Sequence, residues 1–326
     1  MTRICRNPGS MVRSIAAVAL TSTISLSAHA LVIVPTFGVG VSAAAQAAFN
    51  FAAAEFQSLY SDPVTINFNV KAGTTGLGGS SSPLMFVVPA TYAQVRSALI
   101  ADQTAHPSAN GATSIAAGGS INTTTDPTGG GGNFFYTFAQ AKALGARPAN
   151  DAASDGTFTY NSTLTYTFNP LNRQVVGAFD FIGVAEHEIS ELMGRIPGLG
   201  GTIAGQPGFL VYDLFRYTAA GTRSLSDGAG RYFSINNGTT NLHGYNFANG
   251  NGSDPQDWDA SDPTDPYNAF TGPGQGHSIN AVDIATLDVI GWDLAAPVPE
   301  PTGAALMLAG LAAVGACARR RPRNRA

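Results

Sequence analysis

Val64, Ile66, Phe68 and Val70 alternate with Thr65, Asn67, Asn69 and Lys71. A period of two predicts a half-buried strand. Upstream, Phe49, Ala52, Ala53, Phe56 and Tyr60 recur at helical spacing, with Ser42 placed to cap that helix. Leu31 to Pro35 is a short apolar strand before it, and Tyr92, Val95 and Leu99 mark a second helix after it. Ala139 to Leu144 predicts a short helix stopped by Gly145, followed by alternating strands at 157–161 and 163–168. Ile182, Ala185, Ile189, Leu192 and Met193 then form one apolar helical stripe. Strands are predicted at Phe209 to Tyr217 and at Arg231 to Ile235, the latter before a turn at Asn236-Asn237-Gly238. Ser278 is the predicted cap of a last helix, which carries Val282, Ala285, Thr286 and Val289 on one side and ends at Gly291. Residues 107–133 and 248–277 are long loops, a length that is usually functional or disordered. No internal repeat is present. This order of elements predicts an α+β fold, with one domain over residues 31–296.

The two ends follow a different pattern. Residues 1–30 have a basic start, an apolar stretch from Ser14 to Leu26 and the small-residue signal Ala28-His29-Ala30. That is the layout of a secretory signal peptide, cleaved after Ala30. Residues 297–326 contain Pro299-Glu300-Pro301, an apolar run from Gly303 to Ala318 and the cluster Arg319-Arg320-Arg321. The run is slightly short of the roughly 20 residues of a full span, and its basic end favours the cytoplasmic side.

Charge sharpens the division. Three Arg precede residue 31 and five close the chain, which leaves 9 basic residues against 21 acidic ones between 31 and 300. So acidic a body argues against nucleic acid as a partner. Both cysteines, Cys5 and Cys317, lie in the end segments. The body therefore has no thiol chemistry, and a metal would have to be held by His, Asp and Glu.

Three of the five Glu fall within Glu186-His187-Glu188-Ile189-Ser190-Glu191. On the predicted helix, His187 and Glu191 lie one turn apart, opposite the apolar stripe, with Glu188 beside them. Two ligands at i and i+4 with an intervening Glu as general base is the geometry of H-E-x-x-H zinc hydrolases. Here Glu191 is the second ligand, and a carboxylate suits zinc. The alternative is a solvated helix face that binds nothing. Asp213 lies in a strongly apolar stretch and needs a cationic partner, either a metal as third ligand or Arg195 or Arg216. His243 and His277 are further ligand candidates, and His106 reads as surface. Asp254, Asp257 and Asp259, with Asp262 and Asp265, put hard oxygen ligands on one flexible loop. They are calcium candidates, although no EF-hand spacing is present.

The end segment 297–326 resembles the PEP-CTERM sorting tail, which has a Pro-Glu-Pro triplet, a hydrophobic helix and an Arg cluster in this order. The resemblance implies a Gram-negative bacterium, export to the surface or extracellular matrix, transient anchoring in the inner membrane, and processing by signal peptidase and an exosortase. The stretch His187-Glu-Ile-Ser-Glu-Leu-Met-Gly-Arg195 resembles a family of exported, PEP-CTERM-tailed zinc metalloproteases, as do Tyr212 to Tyr217, Tyr232 to Ile235, Asp257-Trp258 and Asp283 through Trp292. More distantly it resembles the metzincins. This implies a metzincin-like catalytic domain with a mixed sheet and an active-site helix ending at Gly194. Metzincins carry a third His three residues after that Gly, where this chain has Pro197, and a downstream Met-turn that this chain lacks.

The expectation is an exported, monomeric, metal-dependent hydrolase acting on a peptide or protein. His187, Glu191 and Asp213 would hold zinc or another divalent metal, and Glu188 would be the base. The rival expectations are a non-catalytic, adhesin-like surface or matrix protein on a decayed protease fold, and a different metal hydrolase such as an amidase.

Overall fold

The computed structural model describes residues 31–81, 90–105, 119–203, 205–250 and 252–295. The expected signal peptide, the sorting tail and His106 lie outside the described residues. Strands β1 (Val32–Phe37) and β2 (Thr65–Gly73) pair in parallel with Ile33 opposite Ile66, so a crossover must join them. That crossover is α1 (Ala43–Leu59), whose N-cap Ser42 accepts the Ala45 N–H. Its stripe of Phe49, Ala52, Ala53 and Phe56 is buried. Each buried Phe is worth roughly 1.5–3 kcal/mol over exposure.

Then follow β3 (Ser80–Ser81), α2 (Tyr92–Ala105), β4 (Asn133–Phe135), α3 (Phe138–Ala143) and β5 (Gly156–Asn161). The main sheet has the order β1-β2-β5-β3, parallel except for the antiparallel edge strand β3. A short parallel pair, β6 (Tyr166–Thr167) and β7 (Phe179–Asp180), leads into α4 (Phe181–Leu192). The α4 helix packs against α1, β3 and β5. Phe181 anchors its first turn in a cluster with Phe158, Tyr160, Tyr166 and Phe168.

The rest of the chain forms two smaller sheets. One joins β4 to β9 (Gln206–Leu210) and β8 (Gly201–Ile203). The other has β10 (Arg216–Ala219) between β11 (Thr222–Arg223) and β12 (Tyr232–Phe233), with β13 (His243–Gly244) outermost. Helix α5 (Ala281–Asp288) closes the body. The described residues thus form a mixed α/β structure with several small sheets, and no helix among them is long and apolar enough to cross a membrane.

Three expectations need correction. The stretch Phe209 to Tyr217 is not one strand: Val211–Phe215 forms a 3-10 helix between β9 and β10. All five of its residues are buried, so no polar face reveals the period. The last helix is capped by Asn280 rather than Ser278, since the Asn280 side chain accepts from Val282 N and Asp283 N while Asp283 returns a bond to Asn280 N. The strands at 163–168 and 231–235 shrink to two residues each.

Candidate metal centre

Helix α4 starts at Asp180, whose carboxylate accepts the Ile182 N–H, and ends at Gly194, whose φ of 117° a side chain would resist. This turn sends Arg195 back over the helix end, where Arg195 N–H donates to Ser190 O. The apolar stripe is buried as predicted. The opposite face is not solvated, because Glu188 and Glu191 are 6% and 4% exposed. The loop after β13 folds back over it and brings Gln256, Asp257 and Pro266 against the motif.

His187 Nδ1 lies 2.8 Å from the Pro266 carbonyl oxygen. A carbonyl can only accept, so Nδ1 carries the proton and the Nε2 lone pair points the other way. Nε2 meets Asp257 Oδ1 at 3.3 Å and Glu191 Oε1 at 3.4 Å. These three ligand atoms converge within 4.8 Å of one another, and among the described residues they form the one such group. Three electron-pair donors facing one point require a cation, either a proton or a metal. Burial disfavours a charged imidazole, but Asp257 and Glu191 outweigh it and hold His187 well above its ordinary pKa.

Arg195 is the resident cation. It is fully buried, 3.0 Å from Asp257 Oδ1, 3.7 Å from Glu191 Oε1, and stacked over the Tyr267 ring. Gln256 Nε2 donates to Glu191 Oε1 at 2.5 Å. Glu188 Oε2 is buried without a hydrogen-bond partner. Burial, and then the Glu191 charge, push the Glu188 carboxyl well above the usual range. His187, Glu188 and Asp257 line a cavity of about 330 Å³, together with Leu77, Val184, Asp254, Phe270 and His277.

The donor set fits a divalent ion. Glu191 and Asp257 place two negative charges against the single positive charge of Arg195, and a +2 ion beside a neutral imidazole would balance them once it also displaced the proton that burial holds on Glu188. One nitrogen and two carboxylate oxygens suit zinc, manganese or iron.

Asp213 is elsewhere. Its Oδ2 accepts the backbone N–H groups of Gly198, Leu199 and Leu210 at 2.9, 3.0 and 2.9 Å. Burial nevertheless lifts its pKa to about 6. Its partners are thus peptide donors rather than a metal or an arginine side chain. Arg195 is engaged at the site, and Arg216 Nη2 donates to the Pro255 carbonyl. The loop carboxylates do not gather either. Asp254 is at the cavity, Asp257 is on His187 and Arg195, and the half-exposed Asp259 side chain is 3.7 Å from His243 Nδ1. His243 stacks on Trp258, and His277 rests on Asp180. Asp257, offered by the sequence as a calcium candidate, lies against His187 and Arg195, a placement that sequence reasoning missed. Its signal was Trp258, a large apolar neighbour that draws the adjoining loop inward.

The family model of the PEP-CTERM protein-sorting motif matches residues 297–321. The chain therefore carries the signal for export, surface sorting and processing by an exosortase. No curated protein and no solved structure matches it.

Proposed function

We propose that the protein is an exported metal-dependent hydrolase, with peptides as the substrate class and a metzincin-like arrangement of helix and edge strand. The observation that carries this reading is the convergence of His187 Nε2, Glu191 Oε1 and Asp257 Oδ1 at a cavity lined by His187, Glu188 and Asp257, beside an unbonded Glu188 oxygen. His187, Glu191 and Asp257 would hold the ion, which when bound supplies Lewis acidity towards a carbonyl. Pro266 fixes the His187 tautomer, as second partners of ligating imidazoles commonly do. Gln256 and Arg195 hold Glu191 and Asp257 in place. Glu188 takes a proton from the attacking water and returns it to the leaving amine, a role worth about 10²–10⁴ in rate.

The test is metal analysis of the purified full chain alongside a peptide-hydrolysis assay. Glu188→Gln should keep the ion and lose hydrolysis, whereas Asp257→Ala should lose both. Loss of metal from Glu188→Gln would show that Glu188 is a ligand and not the base.

A second reading has its own support. The same Asp257 and Glu191 oxygens face Arg195, so a protonated His187 with Arg195 closes an ion-pair network without any metal. The protein would then be a non-catalytic surface component. A metal-free chain after exposure to excess zinc and manganese would decide for it.

A further inference from the structure

A second chain of polar groups lines the same cavity, and the proposed metal chemistry does not use it. His277 sits against the first turn of α4, where a Cβ on Gly183 would lie 2.7 Å from His277 Nδ1. The ring is therefore placed against bare helix backbone, and its side chain is only 3% exposed. His277 Nδ1 is 3.4 Å from Asp180 Oδ2, which also accepts the His277 backbone N–H at 3.0 Å. On the other side, His277 Nε2 is 2.8 Å from Thr271 Oγ1. Both Thr271 and His277 line the cavity. Gly183 precedes His187 by four residues, so the pair lies about 6 Å along the helix from the metal group.

The tautomer follows from the neighbours. With Nδ1 bare, its lone pair would face a carboxylate oxygen, so Nδ1 carries the proton and points it at Asp180. Nε2 is then an acceptor, and the donor within reach is the Thr271 hydroxyl, for which Nε2 at 2.8 Å is a nearer acceptor than Gln275 Oε1 at 3.3 Å. Asp180 is itself fixed: it caps α4 through Oδ1 and accepts Arg173 Nε at 2.8 Å through Oδ2. Hydroxyl, imidazole and carboxylate thus form a nucleophile, a base and an orienting group in series.

We propose that Thr271, His277 and Asp180 form a second reactive site, an acyl-accepting hydroxyl for carboxylic esters or amides, which operates without metal. His277 Nε2 takes the Thr271 proton as Oγ1 bonds to the carbonyl carbon. The bond to the leaving alcohol or amine then breaks, and that group departs with the proton from Nε2. Thr271 is left acylated, and water, deprotonated by the same nitrogen, releases the acid and restores the hydroxyl. Nothing is oxidised or reduced. His277 touches the reacting oxygen, whereas Asp180 is a positioning residue.

The experiment treats the full chain with a fluorophosphonate and with p-nitrophenyl acetate in excess EDTA, then maps the adduct by peptide mass spectrometry. The expected result is a single adduct on Thr271. It should persist in Thr271→Ser, vanish in the isosteric Thr271→Val, and form at least about 100-fold more slowly in His277→Ala, the lower range for a general base. Thr271→Val keeps the shape of the loop, and its melting curve shows that it is folded. No adduct on Thr271 in the wild-type chain, or equal labelling rates in wild type and His277→Ala, overturns the proposal. Because EDTA is present throughout, neither result depends on the metal reading, which metal analysis decides separately.

Discussion

Replacing Gly183 with alanine should destabilise the protein, although alanine is the better helix former by about 1 kcal/mol. The added Cβ would lie 2.7 Å from His277 Nδ1, 2.9 Å from His277 Cβ and 3.0 Å from Asp180 Oδ2. Carbon atoms do not settle at the first two distances, so His277 must shift and loosen its bonds to Asp180 and Thr271. Overpacking of this kind costs about 1–3 kcal/mol. Set against the helical gain, the net loss is up to about 2 kcal/mol. For a body of this size each kcal/mol moves Tm by about 2–4 °C, so the melting temperature should fall by up to about 8 °C. The decisive measurement is the same substitution in a His277→Gly background, where the two closest atoms are absent or free to move. There the helical preference should dominate and Gly183→Ala should raise Tm. This reversal of sign is a coupling of roughly 2 kcal/mol, within the range for residues in direct contact. A rise in Tm on adding Gly183→Ala to the wild-type chain would show that His277 does not pack on that turn. It would also remove the footing of the Thr271 hydroxyl.

Further predictions concern other parts of the chain. Asp62 is buried beside Asp293, and that burial raises its pKa to about 8. A raised folded pKa stabilises at acid pH and loses that contribution as pH rises from about 4 through about 8. The urea midpoint should therefore fall across this window in the parent and stay flatter in Asp62→Asn. Asp213→Ala strands the buried Leu210 N–H, at about 1–3 kcal/mol, and the half-buried N–H groups of Gly198 and Leu199, partly offset by removal of a buried charge. The variant should melt well below the parent yet bind as much metal, and loss of metal without loss of stability would restore Asp213 as a ligand. In the native host, intact mass of the exported protein should show cleavage after Ala30 and loss of the segment from about Pro299 onward; an external species retaining Arg319 to Arg325 would count against tail removal.

Where one face is wet and the other dry, the sequence was readable. The alternation through β2 and the stripes of α1 and α4 are buried where their periods place them. Where both faces are dry, it was not. Val211–Phe215 is buried throughout, its Asp213 included, and strand and 3-10 helix write the same string there. The face of α4 that carries His187 and Glu191 was identified correctly, but its covering was not. A loop of Gly, Asn and Asp gives no periodic sign of where it will lie, so Asp257 and Pro266 could not be paired with His187 in advance. Asp213 shows a related limit. A buried carboxylate advertises its need for donors, but peptide N–H groups are the same in every residue and leave no mark on the sequence.

The end of the body has a mechanical consequence. Asp293 O accepts from Ser61 N and Ala295 N donates to Leu59 O, so the chain leaves the body clipped to the end of α1. One residue further in, the buried Trp292 ring hydrogen-bonds through Nε1 to the carbonyl of Met193, the C-cap of α4. Tension applied beyond Ala295 would first meet two backbone hydrogen bonds, to Leu59 and Ser61 at the end of α1, and then a ring wedged behind the helix that carries His187. A pull on the sorting segment would therefore reach the body at a point hydrogen-bonded to the end of the helix that carries His187. A cut beyond residue 297 removes the load and none of these contacts.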